Sequence, residues 1–265
     1  MGHRYMLKYL MPLGLVMSLA AAVTLAPSLQ PSFEGADSDG PAQLKHGDRM
    51  LDVLDCRGCH GANLQGVLFI DRPETEGVIW SSNLTIVAPK MTEAELRSIL
   101  TQGNHPQRGN LWIMPSNVYQ HLSEPDLSAV IAALRALKPA GAPTPAPVVG
   151  PKPQDTAATM VRKWANLRPA NAGSRHRWGR YIATAACTVC HGAELEGEEG
   201  FAPDLAIVAG YDRKAFETLM TKGVPIGGRQ LHKLMQAAAR ENAAKMTAKE
   251  RDALYAYLVA RADLK

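Results

Sequence analysis

Cys56-Arg57-Gly58-Cys59-His60 and Cys187-Thr188-Val189-Cys190-His191 are two copies of one pattern, C-x-x-C-H, set about half the chain apart. Outward from each copy the flanks also agree. Arg49-Met50-Leu51-Asp52-Val53-Leu54-Asp55 precedes the first and Gly61-Ala62-Asn63-Leu64-Gln65-Gly66 follows it. Arg180-Tyr181-Ile182-Ala183-Thr184-Ala185-Ala186 and Gly192-Ala193-Glu194-Leu195-Glu196-Gly197 bracket the second. The common skeleton, R-x6-C-x-x-C-H-G-A-x-L-x-G, predicts two copies of one folding unit.

The spacing has a chemical reading. Two thiols one helical turn apart can each form a thioether with a haem vinyl group, and the His that follows is carried beneath the ring as proximal iron ligand. Two other chemistries use parts of the pattern. A zinc site needs four ligands, and each copy supplies three. A thioredoxin-type C-x-x-C has no use for an adjacent His and sits in a βαβ context. Recurrence of the whole motif selects haem. Cys56, Cys59, Cys187 and Cys190 are therefore expected to hold two covalently bound haem c groups, with His60 and His191 on the irons.

Length and composition agree with this reading. The 265 residues accommodate two domains of ordinary size. All four Cys lie inside the motifs, which leaves no thiol for a disulfide, a catalytic nucleophile or a Cys iron ligand. Aromatic content is 6%, low for two apolar cores, and a porphyrin in each would supply apolar area. The formal charge of +4 is uneven: residues 36–138 carry 9 Lys/Arg against 12 Asp/Glu, residues 154–265 carry 17 against 12. Arg162, Lys163, Arg168, Arg175, Arg177 and Arg180 concentrate the surplus. They read either as a solvated face or as a docking patch for an acidic partner. No nucleic-acid motif accompanies them.

Residues 1–30 read as an export segment. Arg4 and Lys8 precede an uncharged Leu/Met/Val/Ala stretch, 9–25, and small residues suited to cleavage follow at 18–22. A cleaved signal peptide is the favoured reading. A retained membrane anchor through residues 9–25, at the short end for a span, is the other. Gln30 to Pro41 reads as a polar linker.

The first domain is expected over 42–138. A helix from Ala42 runs into Cys56, an irregular stretch reaches Lys90, a Thr92/Glu95 capping box opens a helix that Gly103 stops, and Ser123 caps a last helix through Leu137. Trp80 packs on the porphyrin or fills the core. Met114, in the loop before the last helix and followed by Pro115, is the preferred distal ligand, with His105, His121 and Met91 as rivals. Residues 139–154, rich in Pro and Ala, are expected to be a stiff, extended spacer. The second domain, 155–265, repeats the plan. Ser174 to Ala186 forms the leading helix, and a carbonyl near 201–205 accepts the Nδ1–H of His191. Asp212 caps a helix that Gly223 ends, and Thr247/Glu250 cap the terminal helix. The second distal ligand is the less certain assignment: Met235 is preferred, and His232, Met246 and Met220 compete. The fold class expected is all-α, two tandem small helical domains.

The C-x-x-C-H-G motifs, Ser82-Asn83-Leu84-Thr85, Met114-Pro115 and Leu254-Tyr255-Ala256-Tyr257-Leu258 resemble tandem two-haem cytochromes c of class I type. The chain is also similar to cytochrome subunits of bacterial periplasmic dehydrogenases. The resemblance runs from about Ala42 to the C-terminus. It implies a small helical fold around each haem and a periplasmic location, because haem attachment to such motifs occurs outside the bacterial cytoplasm. It also implies electron transfer with redox protein partners: a dehydrogenase, a quinol-oxidising complex or a terminal oxidase. Two six-coordinate irons leave no open position for substrate, so an electron carrier rather than an enzyme is expected. A di-haem enzyme of peroxidase or thiosulfate-oxidising type is the alternative and would need one open or labile iron position. A haem-based sensor would need an output module, and none is visible.

Overall fold

The structure, a computed structural model, describes residues 30–152 and 155–265. Of the expected export segment, 1–30, residues 1–29 lie outside the described residues. Among the described residues no helix is long and apolar enough to cross a membrane.

The first unit opens with α1 (Gly40–Val53), where Pro41 occupies a first-turn position that needs no N–H, and continues into α2 (Cys56–His60). Strands β1 (Leu68–Arg72) and β2 (Gly77–Trp80) follow, then α3 (Leu84–Val87) and α4 (Glu93–Gln102). The Thr92/Glu95 capping box is present, and Gly103 closes α4 in the left-handed conformation. A short ribbon, β3 (Asn104–His105) with β4 (Gly109–Asn110), leads to α5 (Ser116–Tyr119) and to α6 (Glu124–Arg135), whose N-cap is Ser123. After β5 (Val148–Val149), the second unit comprises α7 (Ala157–Trp164), α8 (Arg177–Ala186), α9 (Thr188–His191) and α10 (Arg213–Lys222). It ends with α11 (Lys233–Ala237) and α12 (Ala248–Ala262), the latter behind a Thr247/Glu250 capping box.

The chain is mostly helical, but the all-α expectation needs two corrections. The stretch after His60 holds a β-hairpin. Leu68-Phe69-Ile70 and Val78-Ile79-Trp80 are β-branched and aromatic runs, and they pair antiparallel with Asp71 opposite Val78 and Arg72 opposite Gly77. The Pro-rich spacer is not free chain. Its Val148 and Val149 pair with Val78 and Gly77 and form the third strand of that sheet, in the order β1-β2-β5. An unpaired edge at β2 offers a row of backbone donors and acceptors, and the two valines between the prolines can answer them.

In each unit the helix leading to the motif crosses the terminal helix at a glycine. A Cβ on Gly47 would overlap the Ala129 carbonyl of α6, and one on Gly179 would overlap the Ala253 carbonyl of α12. These glycines correct the repeat. Gly47 stands nine residues before Cys56, Gly179 eight before Cys187. The extra residue in the first unit is Asp55, left-handed at φ 59° between α1 and α2. Aligned on the glycines, the counterpart of Arg49 is Tyr181, not Arg180. We expect Gly47→Ala and Gly179→Ala each to cost about 1–3 kcal/mol by forcing the helices apart, read as a shift in denaturant midpoint. Wild-type midpoints in both variants would show that the crossings have slack.

The aligned pair makes reciprocal contacts between the units. Arg49 donates from both terminal nitrogens to Glu250 at the start of α12, at 2.8 and 3.0 Å. The Tyr181 hydroxyl donates to Asp126 at the start of α6, at 2.6 Å. Both carboxylates are fully buried, 0% exposed. Asp126 also accepts from Ser123 Oγ at 2.9 Å and His46 Nε2 at 2.7 Å. Arg49 donates to His46 Nδ1 at 3.4 Å, so the ring proton sits on Nε2 and points at the carboxylate.

Residues 30–39 are not a linker. They form a wedge between the units: consecutive backbone N–H groups of Phe33 and Glu34 donate to Asp126 at 3.0 Å and to Glu250 at 2.8 Å. Phe33 is buried edge-on against Tyr181, with ring centroids 5.6 Å apart, and Trp178 Nε1 donates to the Ser32 carbonyl at 2.8 Å. A short polar-looking segment is ordered because it satisfies two buried carboxylates and buries one aromatic ring.

Candidate functional site

In the first unit, α1 ends at Leu54 and the left-handed Asp55 turns the chain into the single turn of α2. Gly58 leaves room there for the Asp55 carboxylate, which a Cβ would displace. The chain leaves the motif through a tight loop. Leu64 N donates to Gly61 O and Gly66 N to His60 O, both at 2.8 Å. The second unit repeats this loop: Leu195 N donates to Gly192 O at 3.1 Å and Gly197 N to His191 O at 2.9 Å. Leu64 and Leu195 are both fully buried, at φ 61° and 63°.

Each loop returns a carbonyl to its histidine. His60 Nδ1 lies 2.9 Å from Ser82 O, and His191 Nδ1 lies 2.8 Å from Pro203 O. A carbonyl only accepts, so in both rings Nδ1 carries the proton and Nε2 presents a lone pair. Burial lowers both pKa values, against the carbonyl bonds that raise them, and keeps the rings neutral. A neutral imidazole with a free Nε2 is what iron ligation requires.

The thiols are not built for thiolate chemistry. Burial pushes Cys56 and Cys187 each up to about 12 and Cys59 to about 11. The charges of Asp55 and of the second motif's Cys190 add to the rise at Cys59. Among the described residues no three His, Cys, Asp or Glu side chains converge as a metal cluster. The zinc and redox-dithiol readings therefore lack both a fourth ligand and a stabilised thiolate.

Cys56, Cys59, His60 and Met114 line one cavity of about 410 Å³, inside the usual range for small-molecule sites. Its wall is apolar and includes Trp80, Leu84, Leu96, Leu100 and Tyr119. The Tyr119 hydroxyl donates to the Leu54 carbonyl at 2.7 Å, so the wall carries no free hydroxyl there. This donor set fits a haem c: two thiols, one free imidazole nitrogen, a thioether and an apolar lining. Of Met114's rivals, Met91 and His105 also line the cavity, whereas His121 is buried outside it. His105 Nδ1 accepts from Gln107 N at 3.2 Å, which places its proton on Nε2 and leaves no lone pair for iron.

The loop that presents Met114 is strained. Ile113, a β-branched residue, sits at φ 61°, and such a conformation costs about 1–3 kcal/mol unless its surroundings enforce it. The turn is closed by Met114 N to Trp112 O at 2.6 Å and held from both sides at Leu111. Leu111 N donates to Gly103 O at 2.9 Å, and Leu111 O accepts from Ala157 N at 2.8 Å.

In the second unit, Met235 is half-buried against the core on α11, a helix capped by His232. His232 Nδ1 accepts from Leu234 N at 3.3 Å, which commits its ring as it does that of His105. Met220 and Met246 are buried as core side chains. A π-helical turn, Ala238–Asn242, follows α11; such turns mark functional segments more often than chance.

Asp126, Glu250 and Asn83 escaped the reading of the sequence as site-supporting residues. In sequence the two acids are ordinary third-position helix caps, and only the other unit shows what else they bind. Asn83 caps α3 through its side-chain oxygen while its Nδ2 donates to Ala140 O at 2.8 Å and Ala142 O at 3.1 Å.

In both units a motif helix continues from a leading helix, and a long terminal helix crosses that leading helix. Residues 177–261, from α8 to within α12, match the family model described as cytochrome c. Over 99 residues the chain is 30% identical to a cbb3-type cytochrome c oxidase subunit CcoP of Helicobacter pylori strain 52, covering 37% of this chain and 30% of that protein. A CcoP of Helicobacter pylori strain ATCC 700392 / 26695 is 30% identical over 91 residues, 34% of this chain and 27% of the relative. The chain thus spans less than a third of the length of the curated relatives it matches.

Proposed function

We propose that the chain is a di-haem c-type cytochrome that passes electrons between redox proteins outside the cytoplasm. The observation that carries this is the repeated site: two C-x-x-C-H turns, each with its His Nδ1 bonded to a carbonyl brought back by an equivalent loop. Bound haem would supply reversible Fe(III)/Fe(II) cycling. The protein residues do the rest. Cys56, Cys59, Cys187 and Cys190 would anchor the rings, His60 and His191 would each supply an imidazole ligand, and Met114 and Met235 would each supply a thioether ligand. The division into 42–138, a joining segment at 139–154 and 155–265 follows the repeat. The reciprocal carboxylate contacts favour electron passage between the sites, because they tie the two motif-bearing units together.

Exposed Phe69, Ile113 and Val149 ring the mouth of the first cavity and suit transient contact with a partner. Likeness to an oxidase subunit favours a respiratory complex as that partner, and the basic residues at 162–180 favour an acidic face on it. Export of the chain through residues 1–30, with retention of 9–25 as an anchor or cleavage of the leader, belongs to the same reading.

The test is a count. Intact mass and a pyridine haemochrome assay on matured protein should give two haems per chain, and Cys187→Ala with Cys190→Ala should give one. A parent protein carrying fewer than two would overturn the reading.

A further inference from the structure

We propose that the segment joining the two units, described at residues 140–152 and 155–157, forms a strap that holds in place His60 and Met114, the side chains that would ligate the first haem. The inference rests on haem binding at Cys56-Cys59-His60 and concerns what keeps that site closed. The strap touches the site at three points. At the proximal side, Asn83 Nδ2 and Thr85 Oγ1 grip the Ala140 carbonyl, at 2.8 and 3.0 Å. Asn83 directly follows Ser82, whose carbonyl orients His60. At the edge, β5 pairs with β2, and Pro147 and Val149 stand in the cavity wall. Gly150 N and Lys152 N extend the pairing to Glu76 O and Thr75 O, at 3.0 and 3.1 Å. At the distal side, Thr156 bridges Trp112 and Ala157 N holds Leu111 O, on the strained turn that presents Met114.

A composition that predicts a spacer therefore makes contacts on both sides of the site, beside His60 and beside Met114. Glycines mark where it lies against the unit. A Cβ on Gly77 would overlap Val148 O, one on Gly150 would overlap Thr75 O, and one on Gly103 would press on Ala157. The second unit supplies the contrast. Asp204 stands where Asn83 does, caps its helix by accepting from Ala206 N at 2.8 Å, and has no amide donor for a strap. An isolated first unit cut at Lys138 would lack the brace, so its distal turn would relax toward an open iron.

Two variants of the full chain test this. Asn83→Asp keeps the helix cap and deletes only the Nδ2 bonds to the strap. Insertion of a short Gly/Ser segment between Pro145 and Ala146 slackens the strap without touching the cavity. Haem count, the far-red band of methionine-ligated ferric haem, and carbon monoxide uptake by the ferrous protein are measured in each. The expected result is an unchanged haem count, a far-red band reduced by up to half, and carbon monoxide uptake approaching one equivalent per chain, larger for the insertion. An insertion variant with two haems, a full band and no carbon monoxide uptake would overturn the strap. If the insertion variant fails to accumulate, Asn83→Asp decides on the same readings. A parent with fewer than two haems would instead remove the di-haem reading itself.

Discussion

Met114→Ala is expected to convert the first iron into a carbon monoxide site and to lower its reduction potential. A thioether opposite an imidazole stabilises the ferrous state, and its removal leaves water or an open position. The cavity offers two possible substitutes, and the structure argues against both. His105 has its ring proton on Nε2, held there by the Gln107 amide. Met91 follows a 3-10 turn and precedes the α4 cap, with its amide bonded to Ala88 O at 3.1 Å. Met91→Ala should accordingly leave carbon monoxide binding at the parental level, while Met114→Ala raises it from near none to about one molecule per two haems. If the ferrous Met114 variant takes up no more carbon monoxide than the parent, another residue ligates the iron.

The second large effect lies away from both cavities. Asp126→Ala removes one buried carboxylate and strands four donors: the Phe33 amide, the Ser123 and Tyr181 hydroxyls and His46 Nε2. Truncating the acceptor of a buried, charge-assisted network costs about 3–5 kcal/mol. Against a typical total of about 5–15 kcal/mol, that is a substantial part of the stability of the whole chain. Tyr181→Phe, which removes one donor and leaves the carboxylate with three, should cost about 1–2 kcal/mol. Chemical denaturation followed at the Soret band reads both. A loss under 1 kcal/mol for Asp126→Ala would show that the Asp126 network contributes little to holding the units together. Glu250 gives an independent check from the other side, because Arg49 and the Glu34 amide depend on it as Tyr181 and Phe33 depend on Asp126.

Much of the candidate site was legible along the chain because its chemistry is local. A C-x-x-C-H turn places thiols and imidazole by helical geometry alone, so both candidate sets needed no fold to be seen. Helix ends were equally plain: Thr92/Glu95, Ser123, Asp212 and Thr247/Glu250 bond to amides two or three residues on. The hairpin at 68–80 was missed because its runs of apolar residues lack a clean alternation. The spacer was misjudged because prolines forbid helix but do not forbid pairing at the residues between them. The repeat itself slipped by one residue. Counting back from the cysteines aligns Arg49 with Arg180, and only the helix crossings at Gly47 and Gly179 reveal Asp55 as an insertion.

The sequence by itself determined the duplicated C-x-x-C-H motif, its repeated flanks and the limits of most of the helices among the described residues. Each of these depends on residues within one turn or one cap of each other, where backbone geometry leaves little choice. Only the tertiary structure decided that the units share a buried carboxylate interface, that residues 30–39 are its wedge and that the proline-rich segment pairs with β2 in the wall of the first cavity. Those contacts join residues scores of positions apart, and a hydrogen-bond donor in the chain carries no mark of which distant acceptor will desolvate with it.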